Sequence, residues 1–178
     1  MLTIAILIED HYQVLEAWYP YLYLRGKEMK TLFVGPGRKT EFTSKEGYPA
    51  EADMPVKEAR ESDFDGVIIP GGYAPDLLRR NEYIVDFVRN MHDRGKLVAA
   101  ICHAAWVAVS AGILKGRKVT CFKGIKDDVI NAGAEYADEE VVVHGNFITS
   151  RKPSDLPAFC REIVIFLREN NPIDVKKE

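Results

Sequence analysis

The segment Ala100-Ile-Cys-His-Ala-Ala105 sets a thiol beside an imidazole. It lies directly after one apolar run, Leu97–Ile101, and directly before a second of helical character, His103–Ala111. A strand that passes into a helix without loop residues forces the joining residue, Cys102, into a sharp, strained turn that lifts its side chain above the sheet. There the sulfur faces the free N–H groups at the helix start, which predicts a lowered thiol pKa. A lone cysteine is ordinarily a core filler, as Cys121 and Cys160 are expected to be. With strand, Cys-His pair and helix abutting, the chemistry expected of Cys102 is nucleophilic attack on a carbonyl carbon, with His103 as general acid or base. Pro70-Gly71-Gly72-Tyr73 follows another apolar run, Gly66–Ile69, and its paired glycines let backbone N–H groups approach a reacting centre, as an oxyanion hole requires.

Other patterns promise less. Gly35-Pro36-Gly37 lacks the third glycine and the helix start of a dinucleotide fingerprint. His11, His92, His103 and His144 show no ligand spacing with cysteines or carboxylates, so neither a metal site nor a cofactor is expected. His92 reads as a solvated or helix-end residue.

The elements that must position these groups are legible as alternating runs. Leu2–Ile8, Thr31–Val34, Gly66–Ile69, Leu97–Ile101 and Val141–Val143 read as buried strands, continuous rather than alternating, as in a parallel sheet covered on both faces. Between them, Val14, Leu15, Trp18, Tyr21 and Leu22 sit at helical spacing, with Pro20 predicting a kink or a broken ladder. Ile84, Phe87, Val88 and Met91 form a helical stripe capped by Asn81 and closed by Gly95. Asp127-Asp128 suits the acidic first turn of a short helix ending at Gly133, and Leu156, Cys160, Ile163 and Leu167 make a last helix with Pro157 in its first turn. Glu41–Ala52 reads as an irregular hairpin, and Val141–Thr149 turns at Gly145-Asn146. The order predicts an α/β fold, a mostly parallel doubly wound sheet between helices, spanning 1–178 as one domain with only the Lys176-Lys177-Glu178 tail frayed. Ligands then collect beyond the carboxyl ends of the strands, where Glu9–Gln13, Pro70–Gly72, Cys102-His103 and Cys121–Lys123 all fall.

With 178 residues, 47% hydrophobic and 29% charged, the chain has the composition of a globular protein, not a disordered one. A net charge of −3 and scattered basic residues exclude a nucleic-acid footprint. Leu97–Leu114 is long enough for a short membrane span, but a strand followed by a buried helix accounts for it without placing a Cys-His pair in hydrocarbon. Three unpaired cysteines and a first apolar run without a basic lead predict a reducing, cytoplasmic setting.

Ile68–Pro75, Ala100–His103, Ser110–Arg117, Gly124–Asp128, Asn131–Ala134, Glu16–Pro20 and Val141–Arg151 together resemble the PfpI/ThiJ superfamily over nearly the whole chain, closest to its intracellular peptidase branch. The resemblance implies a flavodoxin-like sandwich akin to class I glutamine amidotransferase domains, with Cys102 as nucleophile and His103 as its neighbour. It implies that Asp76, where that branch has Glu, is supplied by an adjacent subunit of a dimer or hexamer. Gly72 and Ala104 match the backbone donors to an oxyanion, and Gln13 stands where a protonated Glu donates to the thiolate. Phe122 replaces a Tyr, and Glu9 and Glu16 are possible substitutes for the missing Glu. The activity implied is that of a cysteine peptidase acting on peptides, with a glyoxalase or deglycase acting on an aldehyde such as methylglyoxal, or a non-enzymatic redox-responsive chaperone, as alternatives. No nucleic-acid or membrane partner is implied.

Overall fold

The apolar runs become the strands of one seven-stranded sheet in a computed structural model of the chain, which describes residues 1–171; the Lys176-Lys177-Glu178 tail lies outside them. The first half runs β1 (Thr3–Leu7), α1 (Val14–Arg25), β2 (Lys30–Gly35), β3 (Glu41–Thr43), β4 (Pro49–Glu51), β5 (Met54–Pro55), β6 (Gly66–Ile69), α2 (Ala74–Leu78) and α3 (Glu82–Asp93). There follow β7 (Leu97–Ile101), α4 (Ala105–Ala111), β8 (Lys118–Val119), α5 (Lys126–Asn131), β9 (Glu135–Tyr136), β10 (Val141–His144), β11 (Phe147–Ser150) and α6 (Leu156–Asn170).

The sheet order is β10-β11-β7-β6-β1-β2-β5, with every pair parallel except β10 and β11. The segment β2-β1-β6-β7-β11 is the flavodoxin-like strand order, whose switch point falls between β1 and β6. Helices α1 and α6 pack together against the sheet, as do α2, α3 and α4, giving three layers. Central strands β1, β6 and β7 are almost wholly buried, and the buried apolar side chains form one continuous cluster. The run Leu97–Leu114 divides into β7, a turn and α4, and no helix among the described residues is long and apolar enough to cross a membrane.

Two local expectations change. Val141–Val143 is not a buried parallel strand: β10 is the antiparallel edge, with Val143 and His144 exposed, and the buried parallel strand is β11. The buried face of α1 carries Glu16, Ala17, Pro20 and Leu24, while Leu15 and Leu22 face outward. A helix apolar on every side gives no periodic signal to choose its inner face. Pro20 sits inside α1 without ending it; the ladder loses only the bond an N–H at that position would make to the Glu16 carbonyl. The remaining helices match their signals: Asn81 caps α3 through its side chain, α5 opens on acids, and Pro157 lies in the first turn of α6.

The sheet edges are short or covered. β5 is two residues ending in Pro55, and β8 packs against β10, where the Lys118 N–H donates to His144 Nδ1 at 2.9 Å. Hairpin β3–β4 stands apart from the main sheet and reaches over the carboxyl end of β1, where the His11 N–H donates to the Thr43 carbonyl at 2.8 Å.

Candidate active site

Cys102 follows β7 at a positive φ of 62°, a conformation that costs a residue bearing a Cβ on the order of 1–3 kcal/mol unless the surroundings impose it. The surroundings do. The Phe122 N–H donates to the Cys102 carbonyl at 3.2 Å, and a Cβ on Gly71 would come within 2.7 Å of the Cys102 Cβ, so neighbouring backbone closes on the turn from both sides. The expected elbow is present, with one modification: a 3₁₀ turn over Cys102–Ala104 intervenes before α4. That helix is only seven residues long, so its dipole does little for the thiol.

Glu16 is the group that governs the sulfur. Its side chain has no exposed surface, and its Oε2 accepts the Gly71 N–H at 2.8 Å. The carboxyl also lies within hydrogen-bonding reach of the Cys102 thiol, while its Oε1 has no partner. Burial raises the Glu16 pKa to about 7, outweighing the stabilising Gly71 bond. Burial, together with the negative charge of Glu16, pushes the Cys102 thiol up to about 12, opposed by the N–H groups of His103 and Gly72, which point at the sulfur. The lowered thiol pKa expected from the helix start is therefore wrong for the state with Glu16 ionised. Two acids in contact in a dry site resist losing both protons, so a thiolate forms readily only when Glu16 holds the proton.

Gln13 does not take this place. Its Oε1 accepts the Glu16 N–H at 2.9 Å as the cap of α1, and its Nε2 donates to Glu46 at 3.3 Å; its side chain lines the cleft without hydrogen-bonding the sulfur. The position expected for Gln13 belongs to Glu16, the only charged residue between Val14 and Leu24, a signal the sequence carried. Gly71 is also reassigned, since its N–H is spent on Glu16 and cannot serve an oxyanion. Gly72, at φ 81°, bridges Tyr12, and its N–H favours the ionised sulfur. The His103 N–H also acts on the sulfur, while Ala104, expected as an oxyanion donor, is buried at the end of the 3₁₀ turn.

The His103 ring is half-buried, stacked on Phe122 at 4.6 Å between centroids and edge-on to Trp106 at 5.1 Å. Its Nδ1 lies 3.3 Å from Cys102 Sγ. Burial, helped by the charge of Lys45, lowers its pKa and keeps it neutral at neutral pH. Within one protomer Asp76 is not an orienter of this ring: it is half-exposed on α2 and ion-paired with Arg80.

Above the thiol opens a cleft of about 420 Å³. Phe122, Tyr73 and Pro153 give it apolar walls, and Lys45 and Lys152, which sequence reasoning missed, stand at its margin. The other two cysteines are fully buried, and burial raises both pKa values to about 12, consistent with filler roles. A larger cleft of about 800 Å³, between Arg38, Lys57 and Tyr83, has no cysteine or histidine among its lining residues.

Sequence and fold both have known counterparts. The DJ-1/PfpI family profile matches residues 2–165. Deglycase PfpI of Pyrococcus furiosus is 42% identical over 167 residues, covering 94% of this chain and 100% of that protein. Protein/nucleic acid deglycase 2 of Escherichia coli is 41% identical over 167 residues, covering 92% and 96%. A solved two-domain protein of Anabaena variabilis with DJ-1/ThiJ/PfpI-like and ferritin-like domains superposes with a TM-score of 0.91 at 41% identity, covering 93% of this chain and 49% of that one. On sequence and fold alike, the chain belongs to the DJ-1/PfpI family.

Proposed function

We propose that the protein is a cysteine-dependent enzyme of deglycase or glyoxalase type, whose Cys102 adds to the carbonyl carbon of a small aldehyde or of the adduct that such an aldehyde forms on protein. The observation that carries this reading is Glu16, a buried acid with a pKa of about 7 in contact with the thiol. Addition to an aldehyde forms the C–S bond, moves the carbonyl π pair onto oxygen, and leaves that oxygen needing a proton. A site in which Glu16 and Cys102 share protons can form the thiolate and return a proton to the new alkoxide, while the Gly72 N–H stabilises the developing charge. His103, held neutral, is positioned as the base for later steps. The names of the relatives, deglycases both, favour the same chemistry.

Peptide hydrolysis is the second reading, favoured by the 3.3 Å approach of His103 Nδ1 to the sulfur. Expelling an amine needs a protonated imidazole, and the lowered His103 pKa works against that unless a carboxylate from elsewhere supports the ring. Incubating the purified protein with methylglyoxal and, separately, with casein decides between them. We expect lactate from methylglyoxal and little casein cleavage, with Cys102→Ser reducing lactate formation at least about a thousandfold, as loss of a nucleophile does. Casein cleavage without lactate would reverse the order, and no Cys102-dependent turnover of either would leave a non-catalytic role for the thiol.

A further inference from the structure

The cleft above Cys102 is asymmetric in charge. Its floor is the buried Glu16 and its walls are apolar, but two exposed ammonium groups, Lys45 and Lys152, stand at its margin. Lys45 is fixed by its own backbone, whose N–H donates to the Tyr12 carbonyl at 3.0 Å, and its charge reaches both His103 and Glu16. It is partly satisfied, lying 3.4 Å from Glu46. Lys152 is not: among the described residues its ammonium makes no hydrogen bond or ion pair. The nearby acids are occupied by its neighbour, since Arg151 holds Asp138 at 2.8 Å and Asp155 at 2.9 Å. Pro153, which follows Lys152 and also lines the cleft, fixes where that backbone runs.

An unpaired ammonium at the mouth of an apolar cleft whose one lining carboxyl, Glu16, is buried at the floor and holds its proton when the thiolate forms, favours an anion entering with the reacting group. We infer that the site selects carbonyl compounds that also carry a carboxylate, with Lys152 as the specificity-determining residue and Lys45 as its second. The inference rests on Cys102 being the nucleophile of the proposed reaction and adds to it the charge of the substrate.

Iodoacetate and iodoacetamide differ in charge but hardly in size, and both transfer a carbon to sulfur with loss of iodide, so their rate ratio at Cys102 reads the local field without turnover. We expect that ratio to exceed the ratio for a small free thiol in the same buffer about fivefold, the effect of one nearby partly screened charge. It should fall to near the free-thiol ratio in Lys152→Gln, fall below it in Lys152→Glu, and shrink in 0.5 M KCl, roughly where the Debye length drops below 5 Å. In parallel, glyoxylate, which can add to the thiol but has no ketone to isomerise, should protect Cys102 from iodoacetamide, and the concentration that half-protects should rise in Lys152→Gln. An alkylation ratio at or below that of the free thiol, or one that only Lys45→Gln moves, overturns the assignment to Lys152 while leaving the nucleophile intact. If neither reagent labels Cys102 in the folded protein, the nucleophile falls and the inference with it.

Discussion

Glu16 shows how a single residue can be read correctly in type and yet be given the wrong rank. It is the one charge in an apolar segment, which marks it, but its neighbour Gln13 lies one helical turn before it, and one-dimensional spacing does not decide which of the two turns inward. The structure decides it by capping: Gln13 is spent on the first turn of α1, and Glu16 faces the sulfur. A consequence follows for stability. Folding raises the Glu16 pKa from 4.5 to about 7, so the folded state binds more protons than the unfolded state between those values. Stability therefore falls as pH rises through that window, by about 3 kcal/mol in all, with the loss complete above pH 7. Urea unfolding of wild type and Glu16→Gln at pH 4.5 and pH 8 checks this: the wild type should lose that increment on going to pH 8 and the variant should not. Equal pH slopes would place the perturbed carboxyl elsewhere.

Between β1 and α1 the chain is held by contacts that alternation and periodicity cannot report. Gly72 is the clearest case. Its φ of 81° already excludes most side chains, and a Cβ there would come within 2.6 Å of the Gln13 N and 2.9 Å of the Tyr12 carbonyl carbon, both backbone atoms. The Gly71-Gly72 pair was legible as a turn, but the reason for the second glycine is this close passage of two loops, a tertiary fact. Gly72→Ala should cost at least about 2 kcal/mol in denaturant melts and slow alkylation of Cys102, because strain and displacement of the N–H donor coincide. The same loop is tied to the hairpin β3–β4: Tyr12, wholly buried, donates its hydroxyl to the Tyr48 carbonyl at 2.8 Å and accepts the Trp18 indole N–H at 3.2 Å. That clasp carries Lys45 over the site, which is why Lys45 and Lys152, far apart in sequence and unremarkable in type, could not be found by motif.

For the molecule as a whole, the order of strands and helices was legible because parallel strands buried on both faces read as short continuous apolar runs between amphipathic and turn segments. What failed was orientation: α1 has no polar side to declare its buried one, and β10, as apolar as an inner strand, became the edge. Assembly lay beyond a single chain altogether. The resemblance places Asp76 in a neighbour's site, and within the chain this residue is half-exposed and far from idle, pairing with Arg80. If the neighbour's Asp76 supports His103, specific activity should fall several-fold on dilution through the range in which copies separate, and Asp76→Ala should be equally low at every concentration; a flat profile for the wild type would show each protomer to be self-sufficient. The borders of the sheet bear on how such copies can meet. With β5 ending in Pro55 and β10 backed by β8, neither flank offers a free row of backbone donors and acceptors. Any contact between copies is thereby directed to helices and loops, and among the described residues the main sheet offers little on which a foreign strand could be laid down.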